Sequence, residues 1–286
     1  MHNFPSTISP RASFISGAID VMRRNHGVDL SGHEASFLEK SLKKRVAATG
    51  CITFEDYLQR LTDDGGEAAE FSGSLRVTYS EFFRDTLVFA MLEQVILPDL
   101  VAEKARKNPG EIRIWSAGCA AGQEAFSVAI LLDELSQMQP DKPVAYRIFG
   151  TDLSELELAR ARAGVYSHAD LKNMRLRHLT GCFSRKGENY FLAPRIRDRV
   201  DFSSYDLLDG STTCPPASIY GNLDIVLCCN VLLYYSPEAR QMILNKVADC
   251  LEPGGYLVTG ETERQIVRQS NGFCDMAPDL AVFRKG

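Results

Sequence analysis

The sequence predicts an α/β protein in which a mostly parallel sheet, with helices on both faces, follows an N-terminal helical domain. Three observations predict this fold class. Apolar residues recur at helical spacing from Phe14 to Leu61. A short strand, a glycine loop and a buried helix follow one another from Ile112 to Leu132. Near-continuous apolar runs such as 223–229 then alternate with helical segments, as is typical of parallel strands buried on both faces.

The composition is that of an ordinary globular protein. The 286 residues are 45% hydrophobic and 24% charged, and the net charge is −5. An acidic chain has no general attraction to nucleic acid or to anionic membranes, so we expect neither as a partner. No apolar run is long enough to span a bilayer, which predicts a cytoplasmic protein without membrane insertion. We expect a monomer.

The eight cysteines are scattered, and their spacing matches no metal site. Several lie inside apolar runs: Cys119, Cys228, Cys229 and Cys250. Cysteines in such positions are typical of reduced thiols that act as small hydrophobic side chains. The sequence therefore predicts neither a disulfide framework nor a bound metal.

The first 73 residues predict a tail and a small helical domain. Residues 1–12 contain two prolines and several hydroxyl residues, which predicts a flexible tail. The helical pattern that follows ends in a polar, glycine-bearing stretch at 62–73, which we interpret as a linker. The second predicted helix carries a basic run that should face away from its apolar stripe: Lys40, Lys43, Lys44 and Arg45. This run is either a solvated helix face or a docking surface for an acidic partner.

The second domain is predicted to span 74–286, and it opens with the segment TYSEFFRD at 78–85. Phe82 and Phe83 would ordinarily be core residues, and Arg84 a surface residue. Because the segment precedes the glycine-loop unit, it is also in a position to fold over a ligand.

The glycine loop at 118–122 is the first candidate binding element. Gly118 and Gly122 reach positive φ at low cost and leave room for a ligand to approach the backbone. The spacing departs from GxGxxG, and Glu124 lies in the first turn of the following helix. A carboxylate there would repel phosphate, which favours a ligand with hydroxyl groups or positive charge. The alternative is that Glu124 only benefits from the helix N-terminus.

Asp152 ends the next predicted strand, which begins at Val144. An acidic residue in this position can accept two hydrogen bonds from the vicinal hydroxyls of a ribose. Asp152 could instead cap the helix predicted at 154–162, although Ser154 competes for that role.

Residues 164–199 interrupt the α/β alternation. Short alternating runs around 185–192 predict a hairpin that turns at Lys186 and Gly187, within a small antiparallel subdomain at about 172–199. The alternation then resumes, and 280–284 is predicted to add an edge strand.

Several stretches, taken together and in register from about residue 14 to the end, resemble the chemotaxis receptor methyltransferase (CheR-type) family. They are TYSEFFRD (78–85), IWSAGCAAGQEAFSVA (114–129), GTDLSELELARARAGVYSHADL (150–171), VDFSSYDLLD (200–209), DIVLCCNVLLYY (224–235) and LEPGGYLVTGETE (251–263). The resemblance implies a Rossmann-like methyltransferase domain with a small β-subdomain, joined to an N-terminal helical domain. It also implies S-adenosylmethionine as cofactor, S-adenosylhomocysteine as product, and glutamate side chains of chemoreceptors as substrate, methylated in sensory adaptation.

The resemblance assigns roles to individual residues. The implied cofactor contacts are Thr78, Ser80, Arg84, Gly118, Glu124, Asp152, Asp206, Leu207, Asn230 and Val231. Arg84 and Tyr234 are the implied catalytic residues, with Arg84 orienting the acceptor carboxylate and Tyr234 beside it. A carboxylate is already a competent nucleophile at neutral pH, so the reaction needs alignment rather than a general base.

Some positions depart from the family pattern, namely Thr78, Cys119, Gln123 and Asp206. The departures at Thr78, Gln123 and Asp206 keep a second hypothesis open, a non-catalytic cofactor-binding signalling module of the same fold. The hairpin turn SRKGEN lacks the paired glycines of members that dock a receptor's C-terminal pentapeptide. We therefore predict that this chain does not depend on such a tether.

Overall fold

The computed structural model describes residues 10–76, 79–106, 110–139, 144–218 and 221–286. The chain divides into two compact units. The first comprises Met1–Val77 with Tyr234–Ala239, and the second comprises Thr78–Leu233 with Arg240–Gly286. Among the described residues, no helix combines the length and apolarity that crossing a bilayer requires.

The N-terminal unit is helical. Its helices are α1 (Pro10–His26), α2 (Ala35–Thr49), α3 (Phe54–Asp63) and α4 (Gly65–Ser74). They bury a common apolar core that includes Met22, Leu38, Tyr57, Leu61 and Phe71. The predicted tail extends too far, because α1 already begins at Pro10, where a proline is tolerated in the first turn. Residues 1–9 lie outside the described part of the chain.

The predicted linker at 62–73 is wrong, because most of it forms α4. Asp64 caps this helix by accepting hydrogen bonds from the backbone N–H groups of Gly66 and Glu67, at 2.9 and 3.1 Å. Phe71 is fully buried in the core of the unit. The cap and the buried ring offset the poor helix propensity of the glycines.

The predicted basic face of α2 is smaller than expected, because Arg45 turns inward. Its Nη2 atom lies 2.7 Å from Oε2 of the buried Glu67, which also accepts a hydrogen bond from the Tyr57 hydroxyl. Lys40, Lys43 and Lys44 are exposed, and Lys43 pairs with Glu39 at 2.8 Å. Burial of its carboxylate partner explains why Arg45 leaves the solvated face.

The second unit is built on a seven-stranded sheet. Its strands are β1 (Ile112–Ala117), β2 (Tyr146–Asp152), β6 (Val200–Ser204), β7 (Leu223–Cys228), β8 (Leu251–Thr259), β9 (Phe273–Asp275) and β10 (Val282–Lys285). Their order is β6-β2-β1-β7-β8-β10-β9. The first five strands in this order are parallel to one another, and β10 is antiparallel to both of its neighbours. The direction of strand addition reverses between β1 and β7, and ligands bind at such a switch point in α/β sheets.

Helices surround this sheet. They are α5 (Thr86–Met91), α6 (Leu97–Lys104), α7 (Gln123–Met138), α8 (Glu155–Ala163), α9 (Leu176–Cys182), α10 (Pro194–Arg197), α11 (Pro237–Cys250) and α12 (Arg264–Arg268). A π-helical turn, Leu92–Ile96, joins α5 to α6. Helix α7 is buried along most of its length, with Phe126, Val128 and Ile130 inaccessible to solvent. The α/β fold predicted from the apolar pattern is confirmed.

A small antiparallel sheet is inserted after α8. It consists of β3 (Val165–Ser167), β4 (Phe183–Lys186) and β5 (Asn189–Leu192), in the order β3-β5-β4. The predicted hairpin is present, but its turn lies one residue later than predicted, at Gly187 and Glu188, because Lys186 still pairs with Asn189 and Gly187 supplies the positive φ of 61°. The subdomain begins at Val165, before the predicted residue 172. Strand β3 pairs with β5 between residues that are 22 to 26 positions apart in the chain, and a local pattern cannot reveal such a pairing.

Candidate active site

Several predicted site residues of the second unit, among them Gly118, Asp152 and Asn230, lie at or just after the ends of neighbouring parallel strands. Register pairs Ala117 of β1 with Thr151 of β2, and Asp152 of β2 with Ser204 of β6. On the other side of β1, Ser116 pairs with Leu227 of β7. The residues that follow these strands therefore share one edge of the sheet, which is the edge where ligands bind in this class of fold.

The glycine loop lies against the turn that follows β7. Gly118 has φ of 73°, and a Cβ atom placed on it would lie 2.7 Å from Cγ2 of Val231. Gly122 has φ of 84°, and a Cβ there would lie 2.9 Å from the Phe202 ring. Both positions combine a left-handed backbone with the absence of space, so only glycine fits.

Three successive N–H groups of this loop are hydrogen-bonded to β2. Those of Gly118 and Cys119 donate to the carbonyl of Thr151 at 2.8 and 2.9 Å. That of Ala120 donates to Oδ2 of Asp152 at 2.9 Å. Because these donors are engaged within the protein, the loop is not the anion cradle found in phosphate-binding loops. The arrangement agrees with the inference that the ligand carries no phosphate.

Asp152 is half-buried and lies at the end of β2. Its Oδ1 atom accepts a hydrogen bond from the backbone N–H of Ser154 at 2.8 Å. Ser154 itself caps α8, since its hydroxyl accepts from the N–H of Glu157 at 3.4 Å, so the capping alternative for Asp152 does not hold. Each carboxylate oxygen has two acceptor positions, which leaves capacity for a vicinal diol.

Glu124 begins α7 beneath the loop. Its Oε1 atom accepts a hydrogen bond from the hydroxyl of Ser116 at 2.8 Å. Burial raises the pKa of Glu124 to about 7, and the negative charge of Glu263 adds to this increase. Hydrogen bonds from the Cys229 thiol and the Ser116 hydroxyl, together with the positive charge of Arg84, act in the opposite direction and lower the pKa. A cationic group bound nearby would favour the ionised carboxylate. The site is therefore suited to a positively charged ligand.

Asn230 follows β7 and adopts φ of 60°, a left-handed conformation that asparagine tolerates better than most residues. Its backbone N–H donates to Oε2 of Glu263 at 2.6 Å, and the N–H of Gly260 donates to the same oxygen at 2.8 Å. A Cβ on Gly260 would lie 2.7 Å from Nδ2 of Asn230. Glu263 and Gly260 thus hold the backbone and make room for the side chain of Asn230.

The segment before α5 is fixed to α7 by one buried hydroxyl. Ser127 accepts a hydrogen bond from the backbone N–H of Phe83 at 3.0 Å and donates to the carbonyl of Gln123 at 2.7 Å. Phe82 and Phe83 are buried, whereas Arg84 is exposed and its guanidinium lies 5.4 Å from the centroid of the Tyr79 ring. The expected core positions of Phe82 and Phe83 and the surface position of Arg84 are confirmed, and the folding of this segment over a ligand stays a prediction. Ser80 is half-buried, and Thr78 lies outside the described residues.

The turn after β6 carries the residues implied for the adenine. Asp206 is exposed, and its Oδ1 atom accepts from the backbone N–H of Leu208 at 2.8 Å. Leu207 is buried. The N–H of Tyr205 donates to the carbonyl of Asp152 at 3.2 Å, which places this turn next to the end of β2. An apolar residue beside the predicted ribose site is suited to an aromatic base.

Tyr234 belongs to the N-terminal unit. The centroid of its ring lies 4.8 Å from that of Phe37, and its carbonyl accepts a hydrogen bond from the N–H of Glu34 at 2.9 Å. Its predicted role beside the methyl acceptor stays a prediction.

Sequence reasoning missed Ser127, Gly260 and Glu263. A weak signal existed for the last two, because a glycine followed three residues later by glutamate matches the spacing of a capping box after a strand. No local signal marks Ser127, since its partner Phe83 is 44 residues away.

These residues fit S-adenosylmethionine, which carries a sulfonium cation, an amino acid group and a ribose diol but no phosphate. The buried carboxylate of Glu124 suits the cationic end, and Asp152 suits the diol. Asn230 offers an amide that can bind the amino acid group. Glycines at 118 and 260 keep the backbone clear of Val231 and Asn230.

Two family models match the chain. The model described as "CheR methyltransferase, SAM binding domain" matches residues 78–278, and "CheR methyltransferase, all-alpha domain" matches residues 17–75. Together they cover most of both units.

Individual relatives agree with the family models. The chain is 32% identical to chemotaxis protein methyltransferase 1 of Pseudomonas aeruginosa over 247 residues, which cover 85% of this chain and 86% of the relative. It is 31% identical to chemotaxis protein methyltransferase Cher2 of Pseudomonas putida over 243 residues, or 83% and 85% of the two chains.

More distant similarities also exist. A 104.1 kDa uncharacterized protein of Rhodobacter capsulatus is 26% identical over 91% of this chain, which spans only 26% of that protein's length. A solved S-adenosylmethionine dependent methyltransferase from Mesorhizobium loti aligns at 21% identity and a TM-score of 0.31, over 52% of this chain and 46% of that one. The two family models and the Pseudomonas relatives establish the assignment: the chain belongs to the CheR methyltransferase family and is an S-adenosylmethionine-dependent methyltransferase.

Proposed function

We propose that this methyltransferase converts glutamate side chains of chemoreceptors, the methyl-accepting chemotaxis proteins, into methyl esters during sensory adaptation. The names of the relatives support the pathway, since those in Pseudomonas aeruginosa and Escherichia coli are called chemotaxis protein methyltransferases. The observation that carries the cofactor half of the proposal is the gathering of Glu124 and Asp152 at adjacent strand ends. One carboxylate suits a cation and the other a diol.

When bound, the cofactor supplies a methyl carbon on a cationic sulfur, and in-line displacement transfers that carbon to a carboxylate oxygen without moving a proton. The chain must therefore hold the acceptor carboxylate ionised, aligned and about 3 Å from the methyl group. Arg84 suits this task, because its guanidinium is exposed and its planar fork of donors matches the two oxygens of a carboxylate. Tyr234 would donate one further hydrogen bond to the acceptor.

The lysines of α2 support an acidic protein as the substrate. Lys40, Lys43 and Lys44 are exposed on this helix, while Arg45 is withdrawn into its ion pair with Glu67. A cluster of exposed lysines accelerates association with an acidic helix more than it strengthens the complex. We expect reversal of charge at Lys40 and Lys44 to slow methylation at low salt and to leave cofactor affinity unchanged.

The second candidate is a cofactor-binding signalling module without transfer activity. The observation that favours it is the state of Gln123, which stands where the family usually has an acid. This side chain is buried, and its Oε1 atom has no hydrogen-bond partner among the described residues. An uncharged amide does not supply the negative charge that an acid in this position would place beside a cationic ligand.

Calorimetric titration followed by a transfer assay separates the two candidates. The protein is titrated with S-adenosylmethionine and S-adenosylhomocysteine, then mixed with receptor-bearing membranes and a labelled methyl donor. We expect binding of both compounds and label in the receptor, and no label in receptors whose methylated glutamates are replaced by alanine. Absence of binding would refute the enzyme, and binding without transfer would support the module.

A further inference from the structure

The acid that follows β8 is less exposed to solvent than Glu124, Asp152 and Asp206, the carboxylates among the predicted cofactor contacts. The side chain of Glu263, at the end of the short 3₁₀ helix Glu261–Glu263, is 0% exposed. None of the roles implied for the site uses it. A buried carboxylate is costly unless hydrogen bonds satisfy it, so its partners indicate what it does.

Those partners are backbone N–H groups of the turn that carries Asn230. Oε2 accepts from Asn230 at 2.6 Å and from Gly260 at 2.8 Å, and Oε1 accepts from Leu233 at 3.4 Å. Asn230 and Glu263 are 33 residues apart in the chain. One carboxylate thus joins the end of β8 to the turn after β7.

This turn needs an external restraint, because Asn230 has a positive φ of 60°. Non-glycine residues held in the left-handed region are strained unless the surroundings fix them. The turn also packs on the glycine loop, where Val231 occupies the space that a Cβ on Gly118 would need. The restraint on Asn230 is therefore also a restraint on one wall of the cofactor site.

The charge of Glu263 also acts on Glu124, which lies in the first turn of α7. Cys229 precedes Asn230, and its thiol donates a hydrogen bond to Glu124. The ionised form of Glu263 adds to the burial that raises the pKa of Glu124. Burial also raises the pKa of Glu263, against the backbone hydrogen bonds from Gly260 and Asn230 that favour its charge. Several groups act on Glu124 from the elements around it: Ser116, Cys119, Arg84, Cys228, Cys229 and Glu263. Glu263 is the other carboxylate in this set.

We propose that Glu263 is a positioning residue for the cofactor site, which holds the turn of Asn230 and adds its negative charge to that of Glu124. The proposal rests on the proposed function, because it assumes that Asn230 and Glu124 contact the cofactor. Glu263 touches backbone N–H groups and acts through those two residues.

Two variants separate geometry from charge. Glu263→Gln removes the charge and places an NH₂ group against backbone donors, whereas Glu263→Asp keeps the charge but shortens the reach. Glu261→Gln is the matched control, since this acid lies in the same 3₁₀ helix with its side chain 54% exposed. Circular dichroism and thermal unfolding establish that each variant is folded.

Affinity for S-adenosylmethionine is measured by calorimetry as a function of pH. We expect Glu263→Gln to weaken binding about tenfold or more and to move the midpoint of the pH dependence to lower pH, because a like charge near Glu124 is gone. Glu263→Asp should weaken binding without moving the midpoint. Glu261→Gln should change neither quantity.

The outcomes distinguish this inference from the proposed function. If the natural protein binds the cofactor and Glu263→Gln leaves affinity and midpoint unchanged, the positioning role is wrong and the function stands. If Glu263→Gln does not fold, Glu263→Asp decides, and natural affinity in that variant refutes the role. If the natural protein itself binds no cofactor, the proposed function fails first.

Discussion

Oδ2 of Asp152 accepts a hydrogen bond from the backbone N–H of Ala120, and the two atoms are 2.9 Å apart. Ala120 is one of four non-glycine residues with positive φ among the described residues, at 46°. The carboxylate that we expect to bind the ribose therefore also stabilises a strained position of the glycine loop. Substitutions of Asp152 must be designed to separate these two roles.

Asp152→Ala should weaken cofactor binding by about a hundredfold or more, because it removes both the acceptors for the diol and the bond to Ala120. Asp152→Asn keeps one acceptor oxygen and so preserves part of the loop contact, while it replaces the other acceptor with a donor. We expect Asn to restore most of the thermal stability lost in the alanine variant but not the affinity. Calorimetry with S-adenosylhomocysteine, together with thermal unfolding, tests both expectations. Unchanged affinity in Asp152→Ala would refute the ribose role.

Cofactor affinity should depend on pH through Glu124. Burial raises the pKa of Glu124 to about 7, so the carboxylate is ionised above that pH and neutral below it. Because a cationic ligand favours the ionised form, the affinity for S-adenosylmethionine should fall by up to about tenfold per pH unit as the pH drops below about 7. Binding in that range should release a proton, which calorimetry in buffers of different ionisation enthalpy measures.

Glu124→Gln is the corresponding variant, and it should abolish this pH dependence and lower the affinity at pH 8. S-adenosylhomocysteine is the matched ligand, because it lacks the sulfonium charge and should show a weaker dependence. The pH dependence of folding stability checks independently that the pKa of Glu124 is raised in the folded protein. An acid whose pKa is raised on folding, from 4.5 to about 7, loses its stabilising contribution as the pH rises through that interval. The cofactor-free Glu124→Gln protein should therefore unfold at a higher temperature than the natural protein at pH 8.

Ser127→Ala should weaken the attachment of the segment before α5 to α7, because it removes the hydroxyl that links them. The substitution leaves the backbone N–H of Phe83 without its acceptor, which we expect to cost about 1–3 kcal/mol of stability. Arg84 follows Phe83, so turnover should fall severalfold as the guanidinium becomes less well placed.

Ser136→Ala is the matched control for this prediction, since Ser136 lies on the same helix and accepts a hydrogen bond from the N–H of Val144 at 3.2 Å. It should lose a similar amount of stability and keep its turnover. Initial rates of methylation and thermal unfolding decide the matter. Equal loss of turnover in both variants would show a general effect of destabilisation rather than a role for Ser127.

The fold and the cofactor were predictable because local patterns encode them. Strand, glycine loop and buried helix follow within 112–132, and the α/β fold, the methyltransferase family and the cofactor are confirmed. Glu124 could be singled out because it lies in the first turn of the helix after the glycine loop, and Asp152 because it ends the next strand. Their roles as cofactor contacts stay predictions.

What could not be predicted depends on distant partners. Arg45 looked like a surface residue until the structure placed Glu67 beside it, 22 residues away. The stretch from 62 to 73 looked like a linker because its glycines disfavour a helix, yet tertiary burial of Phe71 overrides that preference in α4. The role of Glu263 could not be predicted for the same reason, since its contact with Asn230 spans 33 residues.

Arg84→Lys should lower turnover more than cofactor affinity. Lysine keeps the positive charge that acts on Glu124, but it lacks the planar pair of donors that aligns a carboxylate. We expect kcat to fall about tenfold or more while the affinity for S-adenosylhomocysteine changes less than threefold. Arg84→Ala, which also removes the charge, should lose affinity as well. Steady-state rates with receptor-bearing membranes and calorimetry separate the two effects, and an equal loss of kcat and affinity in Arg84→Lys would contradict the orienting role.

Methylation should not require a receptor's C-terminal pentapeptide. The hairpin β4–β5 turns through only Gly187 and Glu188, so it offers neither the length nor the paired glycines of the members that bind this tether. Titration with a peptide of that kind should show no binding at micromolar concentration. Receptors with and without the pentapeptide should be methylated at the same initial rate, because recognition then depends on the methylated helices alone. Micromolar binding of the peptide, or a rate that falls when it is removed, would overturn this prediction.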